Sequence, residues 1–152
     1  MGENFTGVKN QKLTRLAVVL AAIVVVASAA DLALVQPPDL ASQLAGKGVR
    51  PVVLMVGPNS LYRSKHIPGA VYAGPGNGEP GLAMLKAEAD KLPRDREVVL
   101  YCGCCPWDHC PNVKPAMNLL KQMGFAKAKA LYLATGFKAD WLDKGYAGEA
   151  GR

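Results

Sequence analysis

Short apolar runs alternate with amphipathic segments along the last two thirds of the chain. Each run is rich in Val, Leu or Ala, which is typical of strands that are buried on both faces of a sheet. The first run is bounded by Pro51 and Gly57, residues that interrupt regular structure. The predicted strands cover residues 52–56, 70–73, 98–101 and 131–133.

Between these runs, apolar residues recur at helical spacing. The predicted helices are a brief one from Asp39 to Gly46, one over residues 82–92, one that Asn112 caps and Gly124 ends, and a last one over residues 137–142. Buried strands that alternate with amphipathic helices predict an α/β fold, in which a single domain has an open, mainly parallel sheet with helices on both faces.

The N-terminus has the layout of a secretory signal peptide. Lys9, Lys12 and Arg15 precede an apolar run over residues 16–26, and small residues follow at 27–30. The competing interpretation is an uncleaved membrane anchor over residues 16–35, which has about the 20 residues that a bilayer requires. Both interpretations place the domain outside the cytoplasm, in the periplasm or an equivalent compartment, either free or anchored to the membrane.

These patterns divide the chain into four parts. Residues 1–30 are the predicted signal peptide or anchor, residues 31–38 a linker, residues 39–147 the domain and residues 148–152 a tail. The formal net charge is +6, but Lys and Arg are scattered and no stretch interleaves basic with aromatic residues. We therefore expect no nucleic-acid partner, and membrane contact only if residues 1–30 are retained.

All four cysteines lie in one nine-residue window, directly after the strand predicted at residues 98–101. We call residues 102–110 the cysteine loop. Its members are Cys102, Gly103, Cys104, Cys105, Pro106, Trp107, Asp108, His109 and Cys110. A helix is predicted just beyond the loop, and the amides at a helix N-terminus favour a negatively charged sulfur. Cys102 is therefore the predicted reactive thiolate.

Two segments resemble the rhodanese-like family of sulfurtransferase domains. The first is His66-Ile-Pro-Gly-Ala, a signature of that family. The second begins at Val98-Val-Leu-Tyr-Cys102 and continues through Gly124-Phe125 to Gly136 and Trp141. The resemblance implies that Cys102 carries sulfane sulfur as a persulfide, that the cysteine loop surrounds the substrate, and that no cofactor is needed. It also implies that His66 anchors loops.

The chain departs from the family pattern in ways that bear on the substrate. The cysteine loop is expanded and lacks the usual arginine, so that Asp108 and His109 are its only ionisable residues besides the cysteines. A dianion such as thiosulfate would find little positive charge there. The first predicted strand also lacks the family's Asp-Val-Arg ending. These departures favour a small sulfur donor or a protein thiol or persulfide as partner.

The remaining cysteines leave alternatives open. Cys105 and Cys110 are candidates for a disulfide or for a resolving cysteine, and a Cys102–Cys110 disulfide is a further pairing that spacing permits. The loop has no paired Cys-x-x-Cys arms, so no metal site is predicted. The alternative function is a non-catalytic rhodanese-like module whose loop binds a metal or a protein partner. Trp107 is expected to shield the sulfur or meet that partner, and Trp141 to fill the core.

Overall fold

A five-stranded parallel sheet forms the centre of the domain in the described part of the chain. The computed structural model describes Gly2 and residues 32–151. The strands are β1 (Leu34–Val35), β2 (Val52–Met55), β3 (Val71–Tyr72), β4 (Val98–Tyr101) and β5 (Ala128–Leu131), in the spatial order β1-β5-β4-β2-β3. β4 is central, and its four residues pair in register with β2, Val52 opposite Val98 and Met55 opposite Tyr101.

Among the described residues, five α-helices pack on this sheet. They are α1 (Pro37–Ala45), α2 (Asn59–Ser64), α3 (Glu79–Ala89), α4 (Val113–Gln122) and α5 (Phe137–Asp140), with short 3-10 helices at Trp107–His109 and Leu142–Lys144. α1 begins earlier than predicted because Pro37 and Pro38 occupy its first turn, where proline is well tolerated. Within residues 32–151, no helix is both long and apolar enough to cross a bilayer.

Alternate residues of the central strands face two separate cores. Leu54, Leu100 and Cys102 belong to the core beneath α3 and α4, whereas Met55 and Tyr101 belong to the core that includes Leu40 and Trp141. This alternation follows from the two-residue period of a strand. The predicted fold class, an open parallel sheet with helices on both faces, is confirmed.

Three parts of the structure differ from the sequence prediction. The predicted linker at residues 31–38 contributes strand β1 and the start of α1. The last strand was placed at residues 131–133 but lies at Ala128–Leu131, because Lys129 interrupts its apolar pattern. α2 was not predicted, and it has no buried residue that would give it an apolar face. The predicted signal peptide or anchor lies outside the described residues.

The segment predicted as a tail is attached to the domain. His66 and Glu149 form an antiparallel bridge, and the amide of Gly151 donates to the carbonyl of Arg63 at 3.0 Å. The side chain of Glu149 accepts a hydrogen bond from the amide of Gly69 at 2.8 Å. Residues 149–151 therefore cover the His66 segment.

Candidate active site in the cysteine loop

Cys102 directly follows β4, at the carboxyl end of the sheet. Its residue is only 2% exposed, and its side chain faces the same core as Leu100. The chain after β2 passes very close to it. A Cβ built on Gly57 would lie 2.7 Å from the carbonyl oxygen of Cys102 and 3.2 Å from its sulfur. Gly57 therefore occupies a position that a larger residue cannot take without displacing Cys102.

The cysteine loop turns sharply at Gly103 and is anchored on the segment that follows β5. Gly103 has a φ of +77°, and its carbonyl accepts a hydrogen bond from the amide of Phe137 at 3.0 Å. The amide of Trp107 donates to the carbonyl of Ala134 at 3.2 Å, and the Trp107 ring lies 5.3 Å from that of Tyr132. These contacts fix the loop at two points.

The turn brings thiol groups together. All four cysteines are free in the structure, so neither predicted disulfide pairing is present. The sulfur of Cys104 lies 3.1 Å from that of Cys102 and 3.3 Å from that of Cys105. The sulfurs of these three residues all lie within 4.8 Å of one another, a separation that a thiophilic ion would bridge. The shorter of the two contacts joins Cys102 and Cys104, a pair that is not among the candidate disulfides.

Asn112 places its amide against the Cys102 sulfur. Its Nδ2 donates to that sulfur at 3.2 Å and lies 3.9 Å from the sulfur of Cys104, while its Oδ1 is buried without a partner. We predicted that this side chain caps α4, but it makes no capping hydrogen bond. The side chain is turned so that Nδ2 meets the sulfur, and in this orientation Oδ1, the atom that would accept a capping hydrogen bond, has no partner. No local pattern in the sequence reveals this orientation.

The surroundings of the two thiols change their pKa values in opposite directions, lowering that of Cys110 and raising that of Cys102. A hydrogen bond from the Cys102 thiol, followed by amide hydrogen bonds from Asn112 and Val113 near the start of α4, lowers the pKa of Cys110 to about 5. The same thiol hydrogen bond to Cys110, together with burial and the Cys104 thiol, raises the pKa of Cys102. Burial, followed by the Cys104 thiol, raises the pKa of Cys105 to about 12.

A family model named "Rhodanese-like domain" matches residues 37–143. The chain belongs to this family. Among solved structures it is similar to the BH2092 protein of Bacillus halodurans, with 22% identity and a TM-score of 0.62 over 78% of this chain and 77% of that one. It is also similar to the Alr3790 protein of Anabaena sp., with 25% identity and a TM-score of 0.60 over 77% and 82% of the two chains.

A third similar structure is RDL2 of Saccharomyces cerevisiae, described as a single-domain sulfurtransferase. The identity is 18% and the TM-score is 0.57, over 77% of this chain and 94% of that one. No curated protein matches the chain at a significant level. The structural likenesses below 25% identity establish a shared fold.

The rhodanese-like signature at residues 66–70 supports the strand that carries Cys102. Nδ1 of His66 donates to the carbonyl of Tyr62 at 2.8 Å, and Nε2 lies 3.2 Å from Oε1 of Glu149. The amide of Ile67 donates to the Tyr101 hydroxyl at 3.1 Å, one residue before Cys102. His66 therefore anchors loops, as predicted.

The rest of the cysteine loop is open to solvent. Cys104, Pro106, Asp108 and His109 are exposed, whereas Cys105, Trp107 and Cys110 are half-buried. Trp107 packs against the core that includes Cys102. The loop is recognisable in the sequence, whereas the contact of Asn112 with the sulfur and the close approach of Gly57 are not. Both depend on segments that meet only in the folded chain.

Proposed function

We propose that this rhodanese-like domain is a sulfurtransferase that carries sulfane sulfur as a persulfide on Cys102. The observation that supports it best is the placement of the Cys102 sulfur at the end of the central strand, 3.2 Å from a buried amide donor of Asn112. The amide of Cys104 donates to the same sulfur. Donors fixed around one sulfur would stabilise it as a thiolate during attack and as a persulfide afterwards.

The reaction requires the Cys102 thiol to lose its proton, which the departing thiolate of the donor can take up. The Cys102 sulfur then forms a bond to the sulfane sulfur of the donor. The bond between that sulfur and the rest of the donor breaks, and its electron pair leaves with the donor as a thiolate. The sulfane sulfur remains on Cys102.

The donor that fits this site is a thiol-based persulfide. The only ionisable side chains of the cysteine loop other than its thiols are Asp108 and His109, and both are exposed. The lowered pKa of Cys110 favours a negative charge there, so a dianion such as thiosulfate would meet repulsion without a compensating guanidinium. A low-molecular-weight or protein persulfide presents at most one negative charge at its reacting sulfur.

We place this activity outside the cytoplasm. The support is the order of basic, apolar and small residues over positions 9–30, which is typical of export signals. Cell fractionation with an antibody to the domain tests this part. Recovery of the protein in the cytoplasm with residues 1–30 intact would contradict it.

The persulfide is tested by mixing the full chain with glutathione persulfide and quenching at once with an alkylating agent. Peptide mass mapping is expected to find one added sulfur atom on Cys102 and none in Cys102→Ser. Lys114→Ala, which changes an exposed residue beyond the loop, serves as the control and should load like the wild type. Added sulfur on Cys110 would overturn the assignment. Bound copper or zinc after anaerobic purification, without any sulfur loading, would favour the non-catalytic module instead.

A further inference from the structure

A second thiol, that of Cys104, lies directly against the Cys102 sulfur. A cysteine that only carries a persulfide does not need such a neighbour. The two sulfur atoms are 3.1 Å apart, and Cys104 is exposed whereas Cys102 is buried. Building on the proposed function, we infer that Cys104 resolves the Cys102 persulfide, releasing the sulfane sulfur as hydrosulfide and leaving a Cys102–Cys104 disulfide. The domain would then both accept sulfane sulfur and reduce it.

The backbone holds the two thiols in this arrangement. Gly103 stands between them in a left-handed conformation, with a φ of +77°, and a Cβ on it would lie 2.6 Å from Cβ of Phe137. The carbonyl of Gly103 is bound by the amide of Phe137. A glycine turn that is pinned in this way keeps its flanking side chains on one side, so attack is intramolecular and needs no loop rearrangement.

The other two cysteines are placed less favourably. The sulfur of Cys105 contacts Cys104 at 3.3 Å and has no direct hydrogen bond with Cys102. Cys110 is half-buried, and its sulfur is held by the amides of Asn112 and Val113. Cys104 is therefore the cysteine that reaches Cys102 and remains accessible from solvent.

The step balances without any further reactant. The Cys104 sulfur attacks the inner sulfur of the persulfide, the Cys102 Sγ, and the bond between the inner and outer sulfurs breaks. Its electron pair leaves with the outer sulfur, which takes the proton of the Cys104 thiol and departs as hydrosulfide. Two cysteine sulfurs are oxidised to a disulfide, and one sulfane sulfur is reduced to sulfide.

A second turnover needs a dithiol reductant as partner. Because Cys104 is exposed and Cys102 is not, an incoming thiolate reaches the Cys104 sulfur first and forms a mixed disulfide there. The second thiol of the reductant then completes the exchange and returns both cysteines to the reduced state. The reaction that consumes the oxidised domain is thus a dithiol–disulfide exchange.

The test follows the full chain after a single loading with glutathione persulfide and removal of the excess. The wild type is expected to release one hydrosulfide per loaded sulfur. Its final mass should be two hydrogens below that of the reduced chain before loading, and the disulfide should map to Cys102 and Cys104. Cys104→Ser is expected to hold the added sulfur on Cys102 and to release hydrosulfide at least about tenfold more slowly. Cys104→Ala repeats the test with a different replacement of this exposed residue.

The outcomes separate this inference from the proposed function. If the wild type keeps its persulfide as long as Cys104→Ser does, or if the disulfide maps to Cys105 or Cys110, the inference is overturned while the carrier role stands. If neither the wild type nor the Cys104 variants ever gain sulfur on Cys102, and no hydrosulfide appears, the carrier role itself fails. Rapid release that persists in Cys105→Ser but not in Cys104→Ser supports the inference.

Discussion

The Cys102 sulfur is buried among polar atoms. A thiol sealed in hydrocarbon is usually inert, since burial opposes formation of the thiolate. Here the Asn112 amide, the Cys104 amide and the Cys110 sulfur surround it. The two amide donors favour negative charge on the sulfur, but the Cys110 thiol, burial and the Cys104 thiol have the larger effect and leave the pKa of Cys102 raised.

Replacing Asn112 with Leu separates reactivity from stability. The variant loses the amide donor to Cys102, and hydrogen bonds to a charged group are worth about 1.5–3 kcal/mol. We expect sulfur loading to slow by roughly ten- to a hundredfold. Because Oδ1 is buried without a partner, Leu should leave the free energy of unfolding nearly unchanged.

Stopped-flow loading with glutathione persulfide and urea unfolding measure the two effects of Asn112→Leu. The pH dependence of loading should also shift to higher pH, a change that a purely structural role would not produce. A variant that unfolds much more easily yet loads at the wild-type rate would contradict the role given to the amide.

Gly57→Ala tests how closely the segment after β2 approaches Cys102. The added methyl would lie 2.7 Å from a backbone oxygen of Cys102, so main chain has to move. Overpacking of this kind costs about 1–3 kcal/mol, and we expect a loss of that size together with slower loading. Gly48→Ala is the matched control, since a Cβ at Gly48 has no atom within 4 Å. Equal unfolding midpoints for both variants would show that the contact is unimportant.

Among the secondary-structure elements, α4 has the most direct effect on the chemistry. It begins at Val113, whose amide, with that of Asn112, donates to the Cys110 sulfur. Partial positive charge at a helix N-terminus favours an anion there. The start of the helix is therefore one of the causes of the lowered pKa of Cys110, after the hydrogen bond from Cys102.

The stability of the protein should consequently depend on Cys110 across a defined pH range. The pKa of Cys110 falls from 9.0 to about 5 on folding. A lowered pKa stabilises the folded state fully above pH 9, and this contribution is lost as the pH falls to about 5. Under reducing conditions, the unfolding free energy of the wild type relative to Cys110→Ser should thus rise between pH 5 and pH 9. A difference that is constant with pH would exclude a thiolate at this position.

The sequence predicts a strand well where all of the strand's residues are apolar. β2 and β4 are continuous apolar runs and lie within one residue of their predicted bounds. The predicted position of β5 is wrong because Lys129 lies within the strand and interrupts its apolar pattern. The Lys129 side chain pairs with Glu97 at 2.8 Å. β1 has only two residues at a sheet edge, and α2 has no apolar face, so neither leaves a periodic signal.

In the molecule as a whole, the site was predictable only where it depends on chain order. An apolar run that ends in a cysteine and is followed by a helix predicts from sequence alone that Cys102 lies at the carboxyl end of the sheet, and it lies directly after β4. The Cys102–Cys104 contact depends on the turn at Gly103, which is fixed by Phe137 from a distant segment. Contacts made between segments far apart in the chain carry no local pattern, so they emerge only from the tertiary structure.

The C-terminal residues provide a test of where the domain ends. Removing residues 148–152 would break the backbone bridge between His66 and Glu149, the bond from Gly69 to Glu149 and the bond from Gly151 to Arg63. Each such hydrogen bond contributes about 1 kcal/mol, so we expect the unfolding free energy to fall by about 2–4 kcal/mol. Nε2 of the buried His66 would also lose its carboxylate neighbour.

Urea unfolding of the truncated chain is compared with Glu149→Gln, which keeps the backbone bridge and should lose less than about 1 kcal/mol because the carboxylate is half exposed. Sulfur loading at low temperature should change less than about twofold in both variants, because the bridge covers the core opposite the one that Cys102 faces. Equal unfolding midpoints for the truncated and complete chains would place residues 148–152 outside the domain. A large loss of loading without a loss of stability would instead connect the His66 segment to the sulfur chemistry through Ile67 and Tyr101.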